Sequence, residues 1–305
     1  MSPPPSLLLA HGTSDPADVW ITVATVLAIA TLAAGYGRGV HEIWARLGAS
    51  AVVSATSVAS FAGGLALVYL SDQGPLHRLA EGSLAGHMTQ HMTLLLAGAL
   101  LAAGRAGRPL ALAAPHRVRR WLGRARTRTV RGWWRRPLQV ALVAAAIHTG
   151  ALWFWHLPRP FLAAMLSPPV HVVEHATLVA ASWLMWSTVV RASRAGRHSA
   201  VAFFLLFTAG MAASALGAVL TFAPAPMYPP AVFGAEPGPP EPAGSADNDQ
   251  LTDQQLAGLV MWVPMDVVVL GVAGTVFLRW LTQVDRRRPA ERDRQPVVES
   301  EGLSR

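Results

Sequence analysis

The chain contains no cysteine, which removes disulfides, thiolate metal sites and CxxC redox chemistry at once. It contains no lysine either, so all 25 of its basic residues are arginine. Charge of either sign is scarce. Only 14% of the 305 residues are charged, against about a quarter in an ordinary soluble domain. Apolar residues fill the difference, at 52% of the chain and a mean hydropathy of +0.35. Their long uncharged runs exclude a soluble enzyme built around one large core. The arginines outnumber 17 acids for a net charge of +8, a balance that raises nucleic acid as a partner. Where those arginines lie decides against it.

A helix crosses the hydrocarbon core with about 20 apolar residues at 1.5 Å each. Seven segments qualify: 19–36, 47–70, 85–104, 137–156, 169–190, 200–222 and 253–281. None has the period-2 alternation of a barrel strand. The first has no basic stretch before it and no small-residue cleavage site after it, so it reads as a retained helix and not a signal peptide. The expected class is therefore all-α, a polytopic membrane protein with seven transmembrane helices. All of the 25 arginines except Arg78 and Arg159 fall after spans one, three and five or at the C-terminal end from Arg279 onward. Arginine-rich loops stay cytoplasmic, which places the N-terminus outside and the C-terminus in the cytoplasm of a cell (plasma) membrane. The basic stretch 105–136, with Trp121, Trp133 and Trp134 among its arginines, reads as topological anchoring to anionic lipid and not as a nucleic-acid surface. Trp20, Trp153 and Trp155 outside, and Trp44, Trp186 and Trp280 inside, are expected in the interfacial belts. Residues 1–284 form the membrane domain. Within it, the proline-rich, acidic outer loop 223–252 is expected to be poorly ordered in its middle, and 285–305 is a polar cytoplasmic tail.

Polar residues inside a span are costly and mark function by default. His87 and His91 stand four apart near the outer end of span three, and His171 and His175 stand four apart at the start of span five, with Glu174 on the same face as His171. His156 closes span four at the same depth, and Asp253, Gln254 and Gln255 open span seven there. One membrane histidine is often only an interhelical hydrogen bond. Two i, i+4 pairs and a fifth histidine at one depth are better read as a metal site, because paired imidazoles on a helix converge on one point. With no thiolate, and with Met88 and Met92 following the first pair and Met227 and Met261 toward the same side, the donors lean toward copper over structural zinc. The methionines alone are better read as packing. His148 lies about 12 Å deeper than His156, and Asp266 is a lone acid inside span seven whose partner the sequence does not name. His41, His116 and His198 read as solvated residues of inner loops.

Two alternatives stay open. Facing histidines on different helices can ligate haem. His171-Val-Val-Glu174-His175 also spells HxxEH, the inverted zinc-peptidase motif, although here it opens a span behind Pro168 and Pro169 with no downstream Glu as third ligand.

Several stretches, in order, resemble the CtaG family, associated with assembly of bacterial caa-type cytochrome c oxidase. They are Tyr36-Gly-Arg-Gly-Val40, Leu79-Ala-Glu-Gly-Ser83, His87-Met-Thr-Gln-His91, Trp155-His-Leu-Pro158, His171-Val-Val-Glu-His175 and Asp253-Gln-Gln-Leu-Ala-Gly-Leu-Val-Met-Trp-Val-Pro264. The resemblance implies a non-enzymatic, seven-span assembly factor acting at the oxidase's copper centres, with oxidase subunits or a copper chaperone as partners. Joined to that, the residues give a metal site of His87, His91, His156, His171 and His175. Glu174 either orients an imidazole or ligates directly, and the site is expected to be open on the outer face to a docking partner.

Overall fold

The computed structural model describes residues 16–125, 137–194, 199–229 and 245–292. Every regular element among them is a helix: α1 (Pro16–Leu47), α2 (Ala55–Asp72), α3 (Pro75–Gly82), α4 (Leu84–Ala103), α5 (Gly107–Ala113), α6 (His116–Ala125), α7 (Pro137–Trp155), α8 (Pro158–Leu166), α9 (Pro168–Arg194), α10 (Ser199–Phe222) and α11 (Ser245–Arg292). Trp133, Trp134, His198, the middle of the 223–252 loop and the tail beyond 292 lie outside the described residues.

Each of the seven apolar segments carries a helix. Four are long and apolar enough to cross a membrane alone, within Val19–Leu47, Leu138–Trp155, Ala200–Phe222 and Asn248–Thr282, and α4 with α5, bent by 75°, makes a fifth candidate. Their exposed surface is apolar: Leu27, Phe204, Val267 and Leu278 all point outward. Apolar exteriors of this kind are those of membrane-spanning helices, whose solvent is lipid. The remaining two, α2 and α9, do not meet that mark; α9 carries Glu174 and two histidines in its first turns.

Span boundaries move for local reasons. The second segment starts not at 47 but at Ala55, because Gly48 (φ 86°) and Ser50 (φ 64°) turn the chain first. Ser54 then caps α2 by accepting from the Ser57 N–H. The first helix instead runs on to Leu47, so Arg38 and Arg46 sit on it and not in a loop, and Arg46 pairs with Glu42 at 2.8 Å. The basic stretch after α4 is not wholly a loop. It holds α5, which returns against α1 so closely that a Cβ on Gly39 would overlap Pro109. Nearby, the Tyr36 hydroxyl donates to Gly104 O (2.8 Å) and its ring stacks on Phe61, tying α1 to the far end of α4. At the other end of the chain, α11 begins at Ser245, and residues 285–292 of the expected tail continue it.

The centre of the fold is α4, which packs on α2, α3, α9 and α11, while α7 lies on α9 and α10, and α10 lies on α11. The α4–α9 contact is parallel and very close. A Cβ on Gly98 would stand 2.6 Å from Ser182 Cβ and 2.8 Å from Val179 O, and Ser182 Oγ donates to Leu95 O at 2.6 Å. Small residues let helix backbones approach this way in membranes, where apolar burial alone does not drive association. The tryptophan belts are only partly as expected. Trp186 and Trp155 are buried, and Trp44, Trp153 and Trp155 spend their indole N–H on Val53 O, Ala212 O and Thr177 Oγ1. A buried indole must find an acceptor, and these three hold neighbouring segments together. Trp20 is exposed, as a belt residue would be.

Gly98→Val inserts a branched side chain where none fits, so it should destabilise the fold by about 1–3 kcal/mol. The check is the thermal unfolding midpoint in detergent, which falls if the α4–α9 approach is as tight as described and stays put if it is not.

Candidate metal centre

The close α4–α9 contact sets one register that repeats along the pair. Gly98 meets Ser182, His91 faces His175 with ring centroids 5.6 Å apart, and His87 faces His171, also at 5.6 Å. Within each helix the i, i+4 spacing brings the ring centroids together, to 4.3 Å edge-on for His87–His91 and 4.0 Å tilted for His171–His175. His156, in the turn after α7, comes within 5.4 Å of His91. The five histidines and Glu174 named from the sequence thus form one cluster. It is not open. His87, His91, His156, His175 and Glu174 are all buried, His91 and Glu174 fully so, and His171 is partly buried.

The cover comes from elements the hydropathy pattern did not single out. The short helices α3 and α8 each start with proline at the first turn, where its missing N–H costs nothing. Phe161 on α8 is fully buried with its ring edge-on to His87 at 5.4 Å and against Tyr228 at 4.2 Å. Tyr228 donates its hydroxyl to His156 O (2.9 Å) and is held by Gln250 Nε2, which donates to Tyr228 O (2.6 Å). Burial, with the Glu174 charge second, pushes the Tyr228 phenol up from its ordinary pKa. Gln254 accepts from the Met227 N–H at 2.7 Å. Residues 227 and 228, at the start of the 223–252 loop, are therefore packed over the cluster.

Two groups of ligand-type atoms lie within 4.8 Å of one another: His87, His91 and Glu174, and His171, Glu174 and His175. His91 Nε2 is 3.4 Å from Glu174 Oε1. Both ring nitrogens of His91, Nε2 of His171, Nε2 of His175 and both Glu174 oxygens are buried without a hydrogen bond. A buried polar group left unpaired costs about 1–3 kcal/mol, so a set of this size at one place calls for a ligand that all of them can bind.

Two histidines have their tautomers set by what surrounds them. His156 Nδ1 lies 2.6 Å from Leu152 O, and a carbonyl only accepts, so the proton is on Nδ1. The Nε2 lone pair then faces Met88 Sδ at 3.1 Å. His175 Nδ1 lies 2.7 Å from Asp72 Oδ1; donated there, its proton leaves the Nε2 lone pair toward the cluster. A carboxylate behind a histidine in this way is the usual support of a metal-ligating imidazole.

Against the family models, the Cytochrome c oxidase caa3 assembly factor (Caa3_CtaG) model matches residues 34–283. The chain belongs to this family. Comparison with curated proteins and with solved structures returned no match. The matched range contains every residue of the cluster, so this Caa3_CtaG chain carries the site inside its family region and not in an appended segment.

Sequence reasoning missed Asp72 and His77. Asp72 ends α2 and is brought to His175 by Gln90, whose Nε2 donates to Ser71 O at 2.7 Å. His77 on α3 reaches His171, with centroids 6.2 Å apart, and pairs loosely with Glu81 at 3.6 Å. Their signal was position, since both follow directly on the second apolar segment, at the end of α2 and on α3. Asp253 is not part of the cluster. It accepts from the Leu84 and Ala85 N–H groups (2.7 and 3.1 Å), capping α4 from another helix. Asp266 finds its partner in Ser214, whose Oγ donates at 2.6 Å. His148 is buried on α7 and belongs to neither ligand group. Met261 is core, and Met92 and Met227 pack on the same apolar cluster, as expected of packing residues.

Asp253→Ala removes the cap that seats the first turn of α4 and should cost about 1–2 kcal/mol. Denaturant unfolding of the detergent-solubilised chain measures it, and an unchanged midpoint would remove Asp253 from the frame of the site.

Proposed function

We propose that this oxidase assembly factor binds copper at the buried histidine cluster and aids metallation of cytochrome c oxidase without itself catalysing a reaction. The observation that carries the reading is the set of buried imidazole and carboxylate atoms without hydrogen-bond partners, gathered from α4 and α9. His87, His91, His171, His175 and Glu174 are the ligands, with His156 as a further ligand or an exchange position. Asp72 orients His175 from behind, so Glu174 is free to ligate. The choice of copper rests on donor chemistry. Imidazole suits copper and zinc alike, but a thioether favours Cu(I), and the His156 lone pair and Met88 sulfur stand side by side.

The alternatives use the same residues. Zinc is supported by the His171, Glu174 and His175 group; yet Glu174 belongs to both groups, a ligand's position more than that of a base beside a metal. Haem is disfavoured by the packing of the rings, which stand 4.0 to 5.6 Å apart across the cluster and leave no slot for a porphyrin between facing imidazoles.

The seven helices span a cell membrane in this reading, with the N-terminus outside, the C-terminus in the cytoplasm and residues 1–284 as the membrane domain. The cluster then lies at the outer end, where an oxidase subunit or a copper chaperone docks. The starts of α4, α9 and α11 and the ends of α2 and α7 all meet there, and arginines Arg105, Arg191 and Arg194 follow or close the opposite ends of α4 and α9. This polarity obeys the positive-inside rule.

Copper supplied during expression should be retained by the purified full chain and lost from His91→Ala/His175→Ala. Equal copper in both would sink the site. Asp72→Ala should leave copper bound but weaken it by about 10–100-fold, read in competition with a chromophoric Cu(I) chelator. The cysteine-free chain also makes topology directly testable. Leu79→Cys should react with an impermeant maleimide in intact cells and Arg117→Cys only after permeabilisation; the reverse pattern would invert the orientation.

A further inference from the structure

The ligands do not form one nest. Atoms bound to a single ion at about 2.0–2.1 Å lie no more than about 4.2 Å apart, and the four paired histidines of this cluster do not gather into one such set. They divide into two groups of three, His87–His91–Glu174 from α4 outward and His171–Glu174–His175 along α9, each within 4.8 Å, and Glu174 alone is common to both.

From this division we infer that the cluster is a two-ion site, holding a pair of metal ions bridged by the Glu174 carboxylate. The inference rests on the copper reading above and adds the number of ions and the role of each residue. Both Glu174 oxygens are buried and without hydrogen bonds, so one is available to each ion. Carboxylate-bridged pairs in proteins stand about 3.5–4 Å apart, which fits histidine pairs facing each other at 5.6 Å. Glu174 places a negative charge between the two cations. Asp72 supplies a second behind His175, at 2.7 Å from its Nδ1. The two ions differ in surroundings. The α4 ion sits among fully buried ligands, whereas the α9 ion has partly buried His171, with His77 beyond it, its side chain 39% exposed and its ring 6.2 Å from that of His171. The α9 ion is therefore the one nearer the surface, and each ion, having three protein ligands, keeps a position for an incoming or departing group.

The test counts ions on the full-length detergent-purified chain, titrated with Cu(I) alone against a chromophoric chelator. Two equivalents are expected for the wild type. One equivalent is expected for His171→Ala and one for His87→Ala, with Glu174→Gln losing at least one. A wild type that saturates at one equivalent overturns the two-ion site and leaves the copper reading standing. A wild type that binds none overturns both. Because the deciding count is made on the unaltered chain, a variant that fails to fold does not obscure it.

Discussion

The approach of α4 to α9 governs the rest of the molecule. Gly98 has no side chain where Ser182 and the Val179 carbonyl press against it, and Ser182 fixes the height by donating to Leu95 O. A parallel pair locked at that point must set His91 opposite His175 and His87 opposite His171, because both histidine pairs lie the same distance along their helices from the contact. A slip by one residue would turn each ring about 100° around its helix and disperse the cluster. The site is thus a consequence of small residues two turns away from it.

What surrounds the cluster works in the opposite sense to its own energetics. Six named side chains rich in polar atoms are brought together in an apolar region, where unpaired groups are destabilising. Helices α3 and α8, Phe161 and Tyr228 close over them, and the carboxamides of Gln90, Gln250 and Gln254 each bond a backbone group of the connections they seat. The chain has placed its backbone-satisfying side chains around the rim and left both His91 nitrogens, Nε2 of His171 and of His175, and both Glu174 oxygens without a hydrogen bond. In the copper reading proposed above, a metal ion would resolve that tension by bonding the lone pairs directly, and its binding energy would become part of the stability of the fold.

The sequence was most legible where periodicity speaks. Seven long helices, the two i, i+4 histidine pairs and their shared depth with His156 all follow from spacing and the 1.5 Å rise. Asp72 and His77 were not legible in that way, because their roles depend on how the end of α2 and the short α3 fold back, and a short amphipathic helix leaves little trace in a hydropathy profile. Burial was misjudged for a related reason. Residues near the end of a span look surface-exposed when only depth is counted, and the cover by α8 and residues 223–229 is a tertiary fact. The tryptophans show the same limit: depth alone assigns Trp155 and Trp186 to an interface, whereas packing puts both in the interior.

Membership of the oxidase assembly family gives the chain its setting, and the bare histidine and carboxylate atoms give it a chemistry suited to that setting. The most direct test of the link is X-ray absorption at the copper edge of the copper-loaded, full-length protein. The account predicts copper surrounded by several imidazoles, visible as their outer-ring scattering, in a site of low coordination number. A spectrum showing copper with only oxygen neighbours and no imidazole scattering would contradict it, for the ion would then lie somewhere other than among His87, His91, His171 and His175.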